Sequence, residues 1–159
     1  MYVMKTASVA LGAILTLSIT AWAGAGPKGH THRHDDSYSA GEAGDPKKPS
    51  RTVEIEMKEM EDLPSKVEVK RGEQIRFVIR NTGTEDDEFL LATTAENLKH
   101  EAAMRKNADM EHDEPNGLRI AAKKSGEILW KFTKPGTFEY ACLIPDHREY
   151  GMTGKVIVK

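Results

Sequence analysis

From Arg51 to Lys159 apolar side chains recur at every second position, in short runs broken by turn residues. Period-two alternation marks strands with one buried and one wet face, and argues against a helical fold for this part of the chain. Val53, Ile55 and Met57 alternate with polar residues. Lys66 to Lys70 repeats the pattern, and Arg71-Gly72-Glu73 turns the chain. Gln74 to Arg80 puts Ile75, Phe77 and Ile79 on one face, and Asn81-Thr82-Gly83 ends that run. Phe89 to Ala92 is a short apolar strand, and Glu127 to Thr133 alternates through Ile128, Trp130 and Phe132. After the turn at Pro135-Gly136, Phe138, Tyr140 and Cys142 share a face, and Lys155 to Lys159 closes the chain as a strand. Such runs, mostly with no helix between them, predict an all-β antiparallel sandwich. The roughly 109 residues from 51 to 159 suffice for a modest core without staples.

One insertion interrupts the alternation. Thr93-Thr94-Ala95-Glu96 matches a capping box, and Ala95 to Lys106 is rich in helix formers, which predicts one short helix. Leu98 and Ala102 are expected to face the sheet, while His100 and Met104, four apart, share another face. A polar loop follows from Asp109 to Asn116, carrying Met110 and His112.

The two leading segments have a different character. Residues 1–23 hold one cation, Lys5, no acid, an apolar stretch from Ala7 to Ile19, and a small-x-small end at Ala21-Trp22-Ala23. This pattern predicts a secretory signal peptide cleaved after Ala23; its apolar run is short for the ~20 residues of a spanning helix. Without Lys5, 22 of the 23 cations remain against 25 acids. Residues 24–50 contain five glycines, three prolines and three of the six histidines, with almost no large apolar side chain. That composition predicts a disordered tail. Its His30, His32 and His34 alternate, a pattern in which flexible chains wrap imidazoles around Cu(II), Ni(II) or Zn(II).

Charge and cysteine content exclude several function classes. The formal net charge of -2 gives no electrostatic drive toward nucleic acid or an anionic membrane. The single cysteine, Cys142, excludes an internal disulfide framework and a paired-cysteine zinc module. An unpaired thiol in an exported chain calls for a reason.

The reason lies in Cys142-Leu143-Ile144-Pro145-Asp146-His147-Arg148-Glu149-Tyr150-Gly151-Met152, which reads Cys-x4-His-x4-Met between two strands. Thiolate and thioether are soft donors that favour copper, above all Cu(I), and imidazole suits either oxidation state. Cys and His with a weak axial Met are the donors of a blue-copper site. Cys142, His147 and Met152 are therefore candidate copper ligands, with His100, Met104, Met110, His112 and the three tail histidines as candidate accessory copper groups.

On these residues the chain from 51 to 159 resembles the cupredoxins, and most closely the periplasmic copper-tolerance (CopI-like) cupredoxins. The likeness extends to Asp45-Pro46-Lys47-Lys48, Met110-Glu111-His112-Asp113 and the histidine-bearing tail. The resemblance implies a Greek-key sandwich, a periplasmic location and copper handling, with Cys142, His147 and Met152 as ligands. A further histidine ligand is expected of the family after Asn-x-Gly. Here that stretch reads Asn81-Thr82-Gly83-Thr84-Glu85-Asp86-Asp87-Glu88-Phe89, so Asp87 takes the histidine position with Glu88 beside it. Either a carboxylate from Asp87 or Glu88 replaces the imidazole, or a solvated acidic turn has taken its place and the site is degenerate.

Two roles follow. The first is an exported copper-binding protein serving copper tolerance; the alternative is a periplasmic electron carrier with an altered copper site, meeting a redox or copper-transfer protein. No nucleophile–base pair, phosphate loop or metal-hydrolase motif points to an enzyme.

Overall fold

A computed structural model describes residues 38–48, 50–107 and 114–159. The signal segment, His30, His32, His34, Met110 and His112 lie outside the described residues. None of the helices among the described residues is long and apolar enough to cross a membrane.

Ten strands form two five-stranded sheets among the described residues. In chain order they are β1 (Glu42–Ala43), β2 (Arg51–Lys58), β3 (Glu61–Leu63), β4 (Lys66–Val69), β5 (Gln74–Asn81), β6 (Asp87–Ala92), β7 (Gly117–Ile120), β8 (Ser125–Lys131), β9 (Gly136–Ala141) and β10 (Thr153–Val158). Helix α1 (Thr94–Met104) follows β6, and a four-residue helix α2 (His147–Tyr150) precedes β10. The sheet orders are β1-β8-β5-β2-β3 and β4-β10-β9-β6-β7. The expected β-sandwich is present. Its pairing is mixed rather than purely antiparallel, because β2 runs parallel to β5 and β4 parallel to β10. Both parallel pairs arise because the chain crosses from one sheet to the other between their members, so no hairpin can join them.

The alternation in the sequence becomes the inside of the sandwich. Val53, Ile55 and Met57 from β2, Ile75, Phe77 and Ile79 from β5, and Phe138 and Tyr140 from β9 are all buried in one cluster with Cys142 and Met152. Phe89 and Tyr140 stack at 5.4 Å within the second sheet, and Phe77 meets Phe89 across the gap at 5.8 Å. Such aromatic pairs contribute about 0.5–1.5 kcal/mol each beyond the area they bury. β6 departs from alternation: all six of its residues are buried. Its outer side, with Leu90, lies in a second cluster with Ala141 and Leu143, and α1 packs on β6 and β9.

The capping box of α1 is formed as expected, with Thr93 and Glu96 exchanging hydrogen bonds. The face it buries is not the expected one. Asn97, Glu101 and Met104 are buried, whereas Leu98 is 49% exposed and Ala102 is exposed. The cause is the polar ground beneath: the Asn97 amide donates to the Glu139 backbone and carboxylate at 3.3 and 3.2 Å, and the Thr94 hydroxyl donates to Glu139 at 3.2 Å.

A second correction concerns residues 38–48, expected to be part of the disordered tail. β1 pairs antiparallel with β8, the Gly44 N–H donates to the Leu129 carbonyl at 2.8 Å, and the Tyr38 ring sits edge-on to Trp130 at 5.4 Å. The Trp130 indole donates to the Ala40 carbonyl at 3.3 Å. The segment lacks a core of its own but completes the one around Trp130, which a composition argument cannot register. A chain beginning at Tyr38 retains Trp130 as its sole tryptophan. Against it, a chain beginning at Ser50 is expected to lose about 2 kcal/mol or more of stability in urea, in line with uncovering a buried aromatic, with red-shifted tryptophan emission. Coincident urea curves for the two would assign residues 38–48 no structural role.

Candidate metal centre

The site lies at one end of the sandwich, where three chain segments meet. β9 delivers Cys142 just past its last residue, with the side chain on the inner face and wholly buried. The loop after it turns through Asp146, which has a positive φ of 76°, and enters α2, which presents His147. β6 begins at Asp87, whose side chain points inward while that of Glu88 points to the opposite face, as the period of two requires.

The acidic turn before β6 is braced rather than free. The Asn81 amide donates to the carbonyls of Glu85 and Ile120 at 2.7 and 3.1 Å, and its oxygen accepts from the Gly83 N–H at 2.8 Å. Glu59 accepts from both the N–H and hydroxyl of Thr84, and Asp86 accepts from the Ala122 N–H at 3.2 Å. The consequence is a fixed approach for Asp87.

Asp87, Cys142 and His147 each offer one donor atom, and these atoms lie within 4.8 Å of one another. His147 Nδ1 stands 3.1 Å from Asp87 Oδ1 and 3.4 Å from Cys142 Sγ, and Sγ is 3.7 Å from the same carboxylate oxygen. All three residues are buried. Nδ1 is thus the ring nitrogen that faces the other donors, while Nε2 lies 3.6 Å from Glu85 at the rim. Met152, 1% exposed, begins the return toward β10, and backbone hydrogen bonds tie it to both candidate ligands: Cys142 N–H to Met152 O at 3.0 Å and Met152 N–H to His147 O at 3.1 Å.

Of the two carboxylates left open by the sequence, the structure brings Asp87 to the thiol and imidazole. Glu88 is not at this centre. Its carboxylate lies under α1, 3.7 Å from His100 Nε2, and only its backbone N–H reaches inward, donating to Cys142 Sγ at 3.3 Å. Met104, one turn beyond His100, is buried.

Burial dominates the electrostatics. It pushes the Cys142 thiol well above its ordinary value; the N–H groups of Glu88 and Ile144 oppose this, and the charges of Asp87 and Asp62 add to it. Burial also raises Asp87, against the lowering pull of His147 and Cys142. In the metal-free protein the thiol therefore holds its proton. A soft cation taking the place of that proton would meet a thiolate, a carboxylate and an imidazole in one pocket, so the donor set fits copper.

Around the centre, ion pairs hold α2 in place. Arg148 donates to both oxygens of buried Glu139 at 3.0 and 3.1 Å. Burial alone would raise Glu139, but hydrogen bonds from Arg148 and Asn97 keep it below the usual carboxylate range. Arg105 spans Asp146, Glu149 and Glu101 at 2.9–3.1 Å. Gly151 has a φ of 123°, and a Cβ there would stand 2.8 Å from the Met60 carbonyl, so the turn between β2 and β3 presses directly on the segment between His147 and Met152.

One group at this end of the molecule escaped the sequence reading. Asp62, on β3, is 1% exposed, and neither carboxylate oxygen has a hydrogen-bond partner. In sequence it stands in Glu59-Met60-Glu61-Asp62-Leu63-Pro64, which looks like a solvated acidic turn. Only its pairing opposite Met57 reveals that it faces inward. Burial, with a contribution from the charge of Asp87, pushes it up to about 7. A carboxyl raised on folding stabilises the native state below its unfolded pKa, and that contribution is lost as pH rises through the folded value. The metal-free protein is accordingly expected to lose stability between about pH 4 and 8, by an amount on the order of 4 kcal/mol from Asp62. Urea unfolding of metal-free wild type and Asp62→Asn across that range checks this; equal pH slopes would remove Asp62 as the source.

Comparison with known proteins follows the same lines. The family described as copper binding proteins, plastocyanin/azurin family, matches residues 49–159. The copper-resistant cuproprotein CopI of Rubrivivax gelatinosus is 48% identical over 129 residues, covering 80% of this chain and 78% of that protein. A protein of the same description from Pseudomonas aeruginosa is 31% identical, covering 69% of this chain and 77% of that one. Among solved structures, auracyanin B superposes with a TM-score of 0.61 at 22% identity, covering 76% of this chain and 96% of that one; at that identity the likeness speaks for the fold.

Proposed function

The chain belongs to the plastocyanin/azurin family of copper-binding proteins, and from that membership we propose that it is an exported copper-tolerance protein. It holds copper through Cys142, Asp87 and His147, with Met152 as a weak fourth donor. The observation that carries this reading is the convergence of the three donor atoms within 4.8 Å in a buried pocket. Bound copper supplies one-electron chemistry between Cu(I) and Cu(II). Cys142 and Met152 contribute the softness that retains Cu(I), whereas Asp87 brings an anionic oxygen that favours Cu(II) and lowers the reduction potential relative to imidazole. Such a donor set suits binding and sequestering copper in either state. The role is that of a copper binder rather than an enzyme, as the descriptions of its relatives as cuproproteins support.

Accessory capacity forms part of the proposal. His100 with Glu88 at 3.7 Å, beside buried Met104, is one candidate group on the far side of β6; Met110, His112 and the tail histidines are others. A periplasmic redox or copper-transfer protein is the expected partner. Periplasmic protein is expected to begin at Gly24, which intact mass decides; a full-length species held in membranes would defeat the assignment of export.

Cys142→Ser is expected to abolish thiolate-to-copper absorption and weaken Cu(I) binding by more than about a hundredfold, beyond the 10–100-fold typical of outer-shell partners. Asp87→His is expected to strengthen that absorption and raise the reduction potential, while Glu88→Ala leaves the spectrum as it was. Unchanged copper affinity in Cys142→Ser would refute the centre. A wild-type potential close to that of the Asp87→His variant would favour the electron carrier over sequestration.

A further inference from the structure

Asp62 is the buried charge that the copper reading does not use. It is 1% exposed, and both of its carboxylate oxygens lie within the protein with no hydrogen-bond partner. Buried carboxylates are ordinarily paired or hydrogen-bonded, and one left without either costs stability that an apolar side chain of similar volume would not. Its position is set by the short strand β3, where it lies directly opposite Met57. Cross-strand neighbours share a face, and Met57 is wholly buried in the cluster that holds Cys142, Met152 and Tyr140. The Tyr140 hydroxyl, on which the charge of Asp62 acts, donates to the Pro64 carbonyl instead. Gly151 lets the β2–β3 turn close against the ligand loop, which keeps β3 at the metal end of the sandwich. The charge of Asp62 acts on Cys142 and Tyr140, and the charge of Asp87 acts on Asp62.

We propose that Asp62 is an outer anionic group of the metal centre, whose charge is met by the copper ion at Cys142, Asp87 and His147 rather than by any protein donor. The inference rests on copper residing at that centre. Asp62 stands outside the three residues whose donor atoms lie within 4.8 Å of one another, so it acts on the ion as a neighbouring charge in a medium of low dielectric constant. There an extra negative charge stabilises a dication more than a monocation. Asp62 and Asp87 together bias the centre toward Cu(II), and Asp62 does so at the expense of the metal-free fold.

The experiment uses the full exported chain with Asp62→Asn and, as an apolar replacement should the amide fail to fold, Asp62→Leu. Metal-free stability at pH 8 and separate Cu(II) and Cu(I) affinities are measured for each. The expected result is a higher melting temperature without metal. With metal, Cu(II) affinity falls at least tenfold relative to Cu(I), which raises the one-electron potential by about 59 mV. A gain in metal-free stability with the ratio of Cu(II) to Cu(I) affinity unchanged would overturn the proposal, leaving Asp62 a tolerated buried acid. Cys142→Ser is titrated alongside. If it binds copper as wild type does, the centre itself is misplaced and the proposal falls with it; if it does not, the Asp62 result stands on its own.

Discussion

The thiol of Cys142 and the carboxyls of Asp87 and Asp62 are buried at one end of a hydrocarbon sandwich, and the surrounding architecture answers to that constraint. Charges of one sign in a low-dielectric interior repel and cannot be hydrated, so they are held neutral by protons or offset by a cation. Burial raises all three groups, and the single imidazole among them faces two of them. The aromatic packing of Phe77, Phe89 and Tyr140 joins the two sheets that carry these groups. In the metal-free protein, cohesion comes from the apolar core, and the donor end is its point of electrostatic stress.

The supports of the centre are arranged by chain segment. Asn81 holds the turn that leads to Asp87, Gly151 admits the β2–β3 turn, and the pair of Glu139 and Arg148 fixes the helix that carries His147. α1 is drawn into the same system through Asn97 and Thr94. This explains why an inserted helix buries a polar face. Its partner is the buried Glu139 of β9, paired with Arg148 of α2, and removing Arg148 would leave that carboxylate short of its countercharge.

Much of this was legible in the sequence. Alternation exposed the principal strands because each has one face in the core, and Cys142, His147 and Met152 stood out because their spacing spans a single turn between strands. Asp87 emerged only through family resemblance, and the choice between it and Glu88 needed β6 to fix which side chain points inward. Strands β1 and β3 escaped because two or three residues are too few to show a period, and β7 because its burial does not alternate. Asp62 escaped with β3, since an acidic residue in an acidic segment looks solvated until its pairing is known. Leu98 misled for the opposite reason: apolar periodicity locates a buried face only where the ground beneath is apolar.

The main-chain donors to the Cys142 sulfur are the backbone N–H groups of Glu88 and Ile144. Being main-chain donors, they are independent of which side chain stands at either position, proline excepted. This part of the sulfur's electronic setting is therefore inherited with the fold, whereas the part due to Asp87, Asp62 and His147 depends on those residues. The side chain at the start of β6 can be exchanged, imidazole for carboxylate, while these main-chain donors stay in place. Evolution of the metal preference can then proceed one ligand at a time.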